Sequence, residues 1–145
     1  MRVLVVGTGG VGSAVAPIAA RRDFFERIVE NVRDNGDAFR DTLAQLLDLD
    51  IVGDLRGTGY FYALELVKDK EAKAGFSDED SETLLRGFLS PRLFERGLIC
   101  RADDRGDPVV QISPPLIAGK AEIDELTGIL GEVLAEAQDR MNVHA

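Results

Sequence analysis

Apolar and polar positions change their spacing several times along the chain, and the changes mark out its elements. Residues 2–6 are a short apolar run with glycines directly behind, which reads as a buried strand ending in a turn. Val11, Val15, Ile18 and Ala19 then share a face at helical spacing. Over residues 24–49, Val29, Val32, Phe39, Leu43, Leu46 and Leu47 recur at threes and fours between charged residues. That predicts one long amphipathic helix or two abutting ones, with a drift near Gly36. Residues 51–116 read as a small antiparallel sheet with a helical interruption. Tyr60-Phe61-Tyr62-Ala63-Leu64-Glu65-Leu66 suits a pleated, half-buried strand, and Gly57 and Gly59 suit a tight bend before it. Residues 99–102 and 109–112 flank Gly106-Asp107 as a hairpin, and Pro114-Pro115 ends the last strand because neither proline can donate to a ladder.

Between these strands, Lys68-Asp69-Lys70-Glu71-Ala72-Lys73 predicts an exposed loop. Ser77-Asp78-Glu79-Asp80 is a helix start that places a hydroxyl and carboxylates by free N–H groups. This helix should run to about Arg96, kink or restart at Pro91, and stop at Gly97. Residues 119–141 predict a packing helix with Ile123, Leu126, Ile129, Leu130, Val133, Leu134 and Ala137 in one stripe. The fold class is therefore α+β: a small, largely antiparallel sheet with packed helices, plus an N-terminal strand–glycine loop–helix unit.

Composition narrows the function. The 145 residues are 45% hydrophobic, enough for one core, and the net charge of −9 argues against nucleic-acid or anionic-membrane partners. No apolar run reaches the ~20 residues of a membrane span. A single cysteine, Cys100, fits a reducing, cytoplasmic setting and reads as a structural residue. His144 is the only histidine and lies in the tail, so no histidine-based triad or metal cluster is expected. Asp103-Asp104 and Asp78-Glu79-Asp80 read as solvated turn and helix-start charges, and Arg56 and Arg101 as surface or turn arginines.

Gly7-Thr8-Gly9-Gly10-Val11-Gly12 matches G-x-G-x-x-G between strand and helix. There Gly7, Gly9, Gly10 and Gly12 would let the backbone approach a pyrophosphate at a helix N-terminus. Residues 1–29, down to Ala16-Pro17-Ile18, resemble the N-terminus of saccharopine dehydrogenase-like proteins, which implies a Rossmann-like fragment and NAD or NADP as ligand. The acidic residue expected at the end of a second strand has no strand here, since Glu30 and Asp34 fall in a helix-like stretch.

Residues 30–145 resemble the C-terminal small domain of class III (omega-type) pyridoxal-phosphate aminotransferases. The resemblance rests on Ile51-Val52-Gly53-Asp54-Leu55-Arg56-Gly57-Thr58-Gly59-Tyr60, Ala63-Leu64-Glu65-Leu66, Leu93-Phe94-Glu95-Arg96-Gly97-Leu98 and Gln111-Ile112-Ser113-Pro114-Pro115-Leu116, in that order. It implies pyridoxal phosphate (PLP) as cofactor and a substrate contact at Gln111, where many members carry an arginine. It also implies a large domain that supplies the Schiff-base lysine, the aspartate under the pyridinium nitrogen and the phosphate cup. The four lysines here, Lys68, Lys70, Lys73 and Lys120, sit in a charged loop or open a helix, not in the desolvated pocket a Schiff-base lysine needs.

The chain thus reads as two family fragments joined near Val29-Glu30-Asn31. The leading expectation is an aminotransferase small domain, inactive alone and with no catalytic residue of its own. The alternatives are an NAD(P)-binding module and an interaction or dimerisation module, and a homodimer is the expected assembly.

Overall fold

The computed structural model describes residues 22–103 and 108–143. Helix α1 (Arg22–Ala44) continues into a 3-10 turn (Gln45–Asp48), followed by strands β1 (Val52–Thr58) and β2 (Phe61–Leu66). Helix α2 (Asp78–Leu84), a π turn (Leu85–Leu89) and helix α3 (Ser90–Glu95) come next. Strands β3 (Arg101–Asp103) and β4 (Val109–Ile112) and helix α4 (Lys120–Met141) complete the order. The four strands are antiparallel in the spatial order β1-β2-β4-β3. The α+β reading therefore holds for the described residues. The strand and glycine loop expected at residues 2–12 lie outside them, as does the Gly106-Asp107 turn.

Alternation along β2 sets the layers. Tyr62, Leu64 and Leu66 are buried, whereas Phe61 is exposed and Ala63 and Glu65 are half-buried. Val110 and Ile112 of β4 join the buried face. Against it pack Phe39 and Leu43 of α1, Leu84, Leu85, Leu89 and Leu93 of the α2–α3 segment, and Leu130, Val133, Leu134 and Ala137 of α4. The other sheet face carries Gln111, directly opposite Ala63 on β2.

Several boundaries differ from the expected ones. The α-helix ends at Ala44, and a 3-10 turn carries the chain to Asp48. Gly36 does not interrupt α1. It is buried because the helix passes over the β1–β2 turn, where a Cβ on Gly36 would lie 3.6 Å from the Gly59 Cα. Tyr60 belongs to that turn and not to the strand, and β3 starts at Arg101 instead of Ile99, whose side chain is exposed.

The restart at Pro91 takes a specific form. Proline lacks an N–H and crowds the carbonyl four residues back, which is that of Gly87. The helix widens into the π turn just before it, with the Ser90 N–H donating to the Leu85 carbonyl, and α3 then has Pro91 in its first turn. Gly97 ends the segment at φ +84°. Arg92 donates to both Glu136 oxygens at 2.7 and 3.0 Å, and Arg96 pairs with Glu132, so α3 is bolted to α4. The Arg92 guanidinium holds the Glu136 carboxyl below the usual carboxylate range.

Candidate functional site

A groove of about 600 Å³ opens where β4 ends, between the segment leading into β3, the Pro114-Pro115 loop and the first turns of α4. Its apolar wall is Leu98, Ile99, Ile112, Ile117, Leu126 and Ile129, and its polar groups are Cys100, Gln111, Ser113, Glu122 and Glu125. Leu116 and Ile117 beside it are exposed, as is Ile99 at 83%. Among the described residues no Lys, Arg or His lines the groove.

The loop over this groove is fixed from a distance. The prolines stop the ladder, and the Ala118 N–H donates to the Pro115 carbonyl at 2.8 Å. The Tyr60 hydroxyl donates to the Ala118 carbonyl at 2.8 Å, and the Asn31 amide donates to the Leu116 and Ala118 carbonyls, each at 2.9 Å. Burial raises the Tyr60 hydroxyl above its ordinary range, so it remains a donor at neutral pH. Neither residue stands out in the sequence, because the partners lie 58 to 87 positions away. Tyr60→Phe should cost about 1 kcal/mol and Asn31→Ala about 1–3 kcal/mol in urea unfolding, since the latter strips two carbonyls of a donor. Equal, negligible losses would show that the clamp is not formed.

Two groove residues have defined charge states. The Glu122 carboxylate accepts from the Gly119 N–H at 2.9 Å, and backbone N–H groups at the start of α4 hold it below its ordinary range. Burial pushes the Cys100 thiol up to about 11. Cys100 is therefore the inert, half-buried structural cysteine expected from the sequence, not a nucleophile. Its alkylation by iodoacetamide at pH 8 should run about a hundredfold slower than that of a free thiol, a consequence of the smaller thiolate fraction. A rate matching glutathione would contradict this placement.

Gln111 is the one sequence-predicted site residue that the structure places in the groove. Gly7, Gly9, Gly10 and Gly12 lie outside the described residues, as do His144, Asp104 and the side chains of Arg101 and Asp103. Arg56 is engaged with Glu65 across the strands and lies 3.6 Å from Asp54. Asp78, Glu79 and Asp80 form the first turn of α2, where the Ser77 hydroxyl accepts from the Asp80 N–H at 3.1 Å. Among the described residues no group of three or more His, Cys, Asp or Glu could hold a metal.

None of the four lysines fits a Schiff base to an aldehyde cofactor. Lys68 sits 3.4 Å from Asp80, Lys70 donates to the Leu47 carbonyl, Lys73 is exposed, and Lys120 pairs with Asp124 at 2.8 Å. All four are exposed, so none sits in the desolvated pocket that a Schiff-base lysine needs.

The class-III aminotransferase family model matches residues 12–134, a span that includes the junction expected near Val29-Glu30-Asn31. A Mycobacterium tuberculosis protein described as a probable aminotransferase is 50% identical over 130 residues, covering 88% of this chain and 28% of that one. The putrescine–pyruvate aminotransferase of Pseudomonas aeruginosa is 38% identical over 102 residues, covering 70% and 21%. Among solved structures, the PMP-bound form of an aminotransferase from Vibrio fluvialis superposes with a TM-score of 0.78 at 29% identity, covering 96% of this chain and 30% of that one. An omega-aminotransferase from Paracoccus denitrificans gives 0.74 at 31%, covering 90% and 28%. The chain thus spans less than a third of these relatives, and none of the findings supports the dinucleotide reading of the glycine loop or a saccharopine dehydrogenase-like fusion. With the sheet order, the helices around it and the Pro-Pro loop in place, the chain belongs to the class-III aminotransferase family.

Proposed function

We propose that this chain forms the small-domain part of a PLP-dependent class-III aminotransferase, and that the groove carrying Gln111 is one wall of its substrate site. The observation that supports this most directly is the likeness to aminotransferase structures over nearly the whole chain, although it spans only 30% of such an enzyme. Class-III aminotransferases use PLP, which supplies the electron sink for amino-group transfer. The lysines here do not suit it, so the cofactor-holding groups belong to the remainder of such an enzyme. This chain contributes an apolar wall, a neutral amide at 111 that orients a substrate oxygen without adding charge, and a loop held by Tyr60 and Asn31. The exposed Ile99, Leu116 and Ile117 then make the face that docks on the remainder. A homodimer fits this reading, and sedimentation at tens of micromolar tests it.

The test is a graft. Residues 12–134 replace their counterpart in the Mycobacterium tuberculosis relative, and the folded chimera is assayed for bound cofactor and for amino-group transfer. The reading expects cofactor retention and transfer within about tenfold of the parent, since one wall changes while the reacting groups stay. A folded chimera with cofactor but no transfer under any amino donor the parent accepts would refute the substrate-wall role.

A further inference from the structure

A second groove, of about 480 Å³, lies between α1 and the β1–β2 turn. It is independent of the aminotransferase reading. Gly36 on α1, Gly57 near the end of β1 and Gly59 on the turn line it without side chains. Arg33, Asp37 and Arg40 line it from α1 at four- and seven-residue spacing, so they share one helix face, with Arg33 and Arg40 about 10 Å apart along the axis. Both arginines are exposed, and neither makes an ion pair or hydrogen bond among the described residues.

The fourth feature is Tyr62. It is only 3% exposed, its ring is held edge-on to Phe39 at 5.4 Å, and it lines this groove. Its hydroxyl has no hydrogen-bond partner among the described residues, yet it is not one of the fully buried orphaned atoms. The tip of an otherwise buried side chain thus reaches the groove, where it feels Arg40, Asp37 and Asp41. Buried hydroxyls normally find a partner. This one is a donor beside a cavity and a guanidinium that has no partner among the described residues.

We propose that this groove binds a linear aliphatic dicarboxylate, one carboxylate on Arg33 and the other on Arg40, with the Tyr62 hydroxyl donating to the second. Guanidinium forks match carboxylates in two parallel hydrogen bonds. Side chains leaning together from about 10 Å apart suit a diacid of about five to seven carbons, with anions only at its ends. Asp37 lies between the arginines and repels any anionic group placed midway. Val32, beside Arg33, lines the same groove and adds an apolar contact at that end. A compact anion such as phosphate reaches one arginine at most.

The test titrates the full chain with adipate by calorimetry, with valerate and orthophosphate as comparators. Adipate should bind about tenfold or more tighter than valerate, because only it engages both arginines. Arg33→Gln and Arg40→Gln should each bring adipate down to the valerate level. Tyr62→Phe keeps the ring against Phe39 and should weaken adipate about tenfold while leaving the urea midpoint unchanged. Asp37→Asn should strengthen binding of the diacid. Equal affinity for adipate and valerate, tighter binding of phosphate, no adipate binding, or wild-type affinity in both arginine variants would each overturn the proposal.

Discussion

Gly57→Ala is expected to leave the chain unfolded or insoluble. Gly57 has φ +152°, a conformation that residues with a Cβ rarely adopt. Space forbids the substitution as well: a Cβ there would lie 2.2 Å from the Phe61 carbonyl oxygen and 2.6 Å from both the Cα and Cδ1 of Tyr62. Two of these atoms are backbone of the paired strand, so no rotamer change relieves the clash, and β1 must separate from β2 at the Gly57–Tyr62 pair. The cost should exceed about 4 kcal/mol, a large share of the roughly 5–15 kcal/mol that holds a domain together. β2 also pairs with β4, where Ala63 faces Gln111, so the damage spreads to the strand that carries the candidate substrate contact. Gly128→Ala is the control. Gly128 lies in α4 with nothing within 4 Å of a new Cβ, and the change should stabilise by about 0.5–1 kcal/mol. Circular dichroism and urea unfolding of the two variants decide the matter, and a Gly57→Ala chain within about 1 kcal/mol of the parent would mean the turn is built differently.

Local signals carried the reading wherever the physics is local. The alternation of β2, the Val109–Ile112 strand, the stripe of α4, the Ser77 cap and the Gly97 stop each depend on residues within a turn or two, and each stands where its pattern put it. Tyr60 shows where such signals fail. An aromatic next to Phe61 and Tyr62 looks like one more strand residue. The turn at Gly59 instead sends its hydroxyl to a carbonyl 58 positions on. β3 has the same difficulty, because pairing with β4 and not intrinsic preference sets where it starts. Arg33 and Arg40 had no signal at all: on an acidic amphipathic helix they look like ordinary solvent-facing charges, and only the low glycine turn opposite turns that face into a groove. The resemblance in residues 30–145 could be assembled from several weak pieces in a fixed order. It did not reveal that the family match extends back to residue 12.

Phe39→Ala should cost about 3–5 kcal/mol and should loosen both grooves at once. Phe39 is fully buried, with the Tyr60 ring edge-on at 5.4 Å and 70° and the Tyr62 ring at 5.4 Å and 88°. Truncation removes its own transfer energy, leaves a cavity, and removes two edge-to-face contacts worth about 0.5–1.5 kcal/mol each. Both tyrosines then lose the surface that fixes their rings. One holds the Ala118 carbonyl and hence the loop over the groove with Gln111, and the other presents its hydroxyl to the second groove. Phe39→Leu keeps most of the volume and should cost less, about 1–2 kcal/mol. The discriminating readout is hydrogen exchange at Ala118, whose N–H is bonded to the Pro115 carbonyl. In Phe39→Ala its protection should fall by more than the global loss of stability explains, because the Tyr60 anchor is released locally. Protection that tracks global stability alone would make Phe39 a core residue and nothing more. A differential loss would establish that one ring in α1 sets the geometry of the loop and of the hydroxyl together, which is why a site on the sheet end and a site on the turn depend on the same helix.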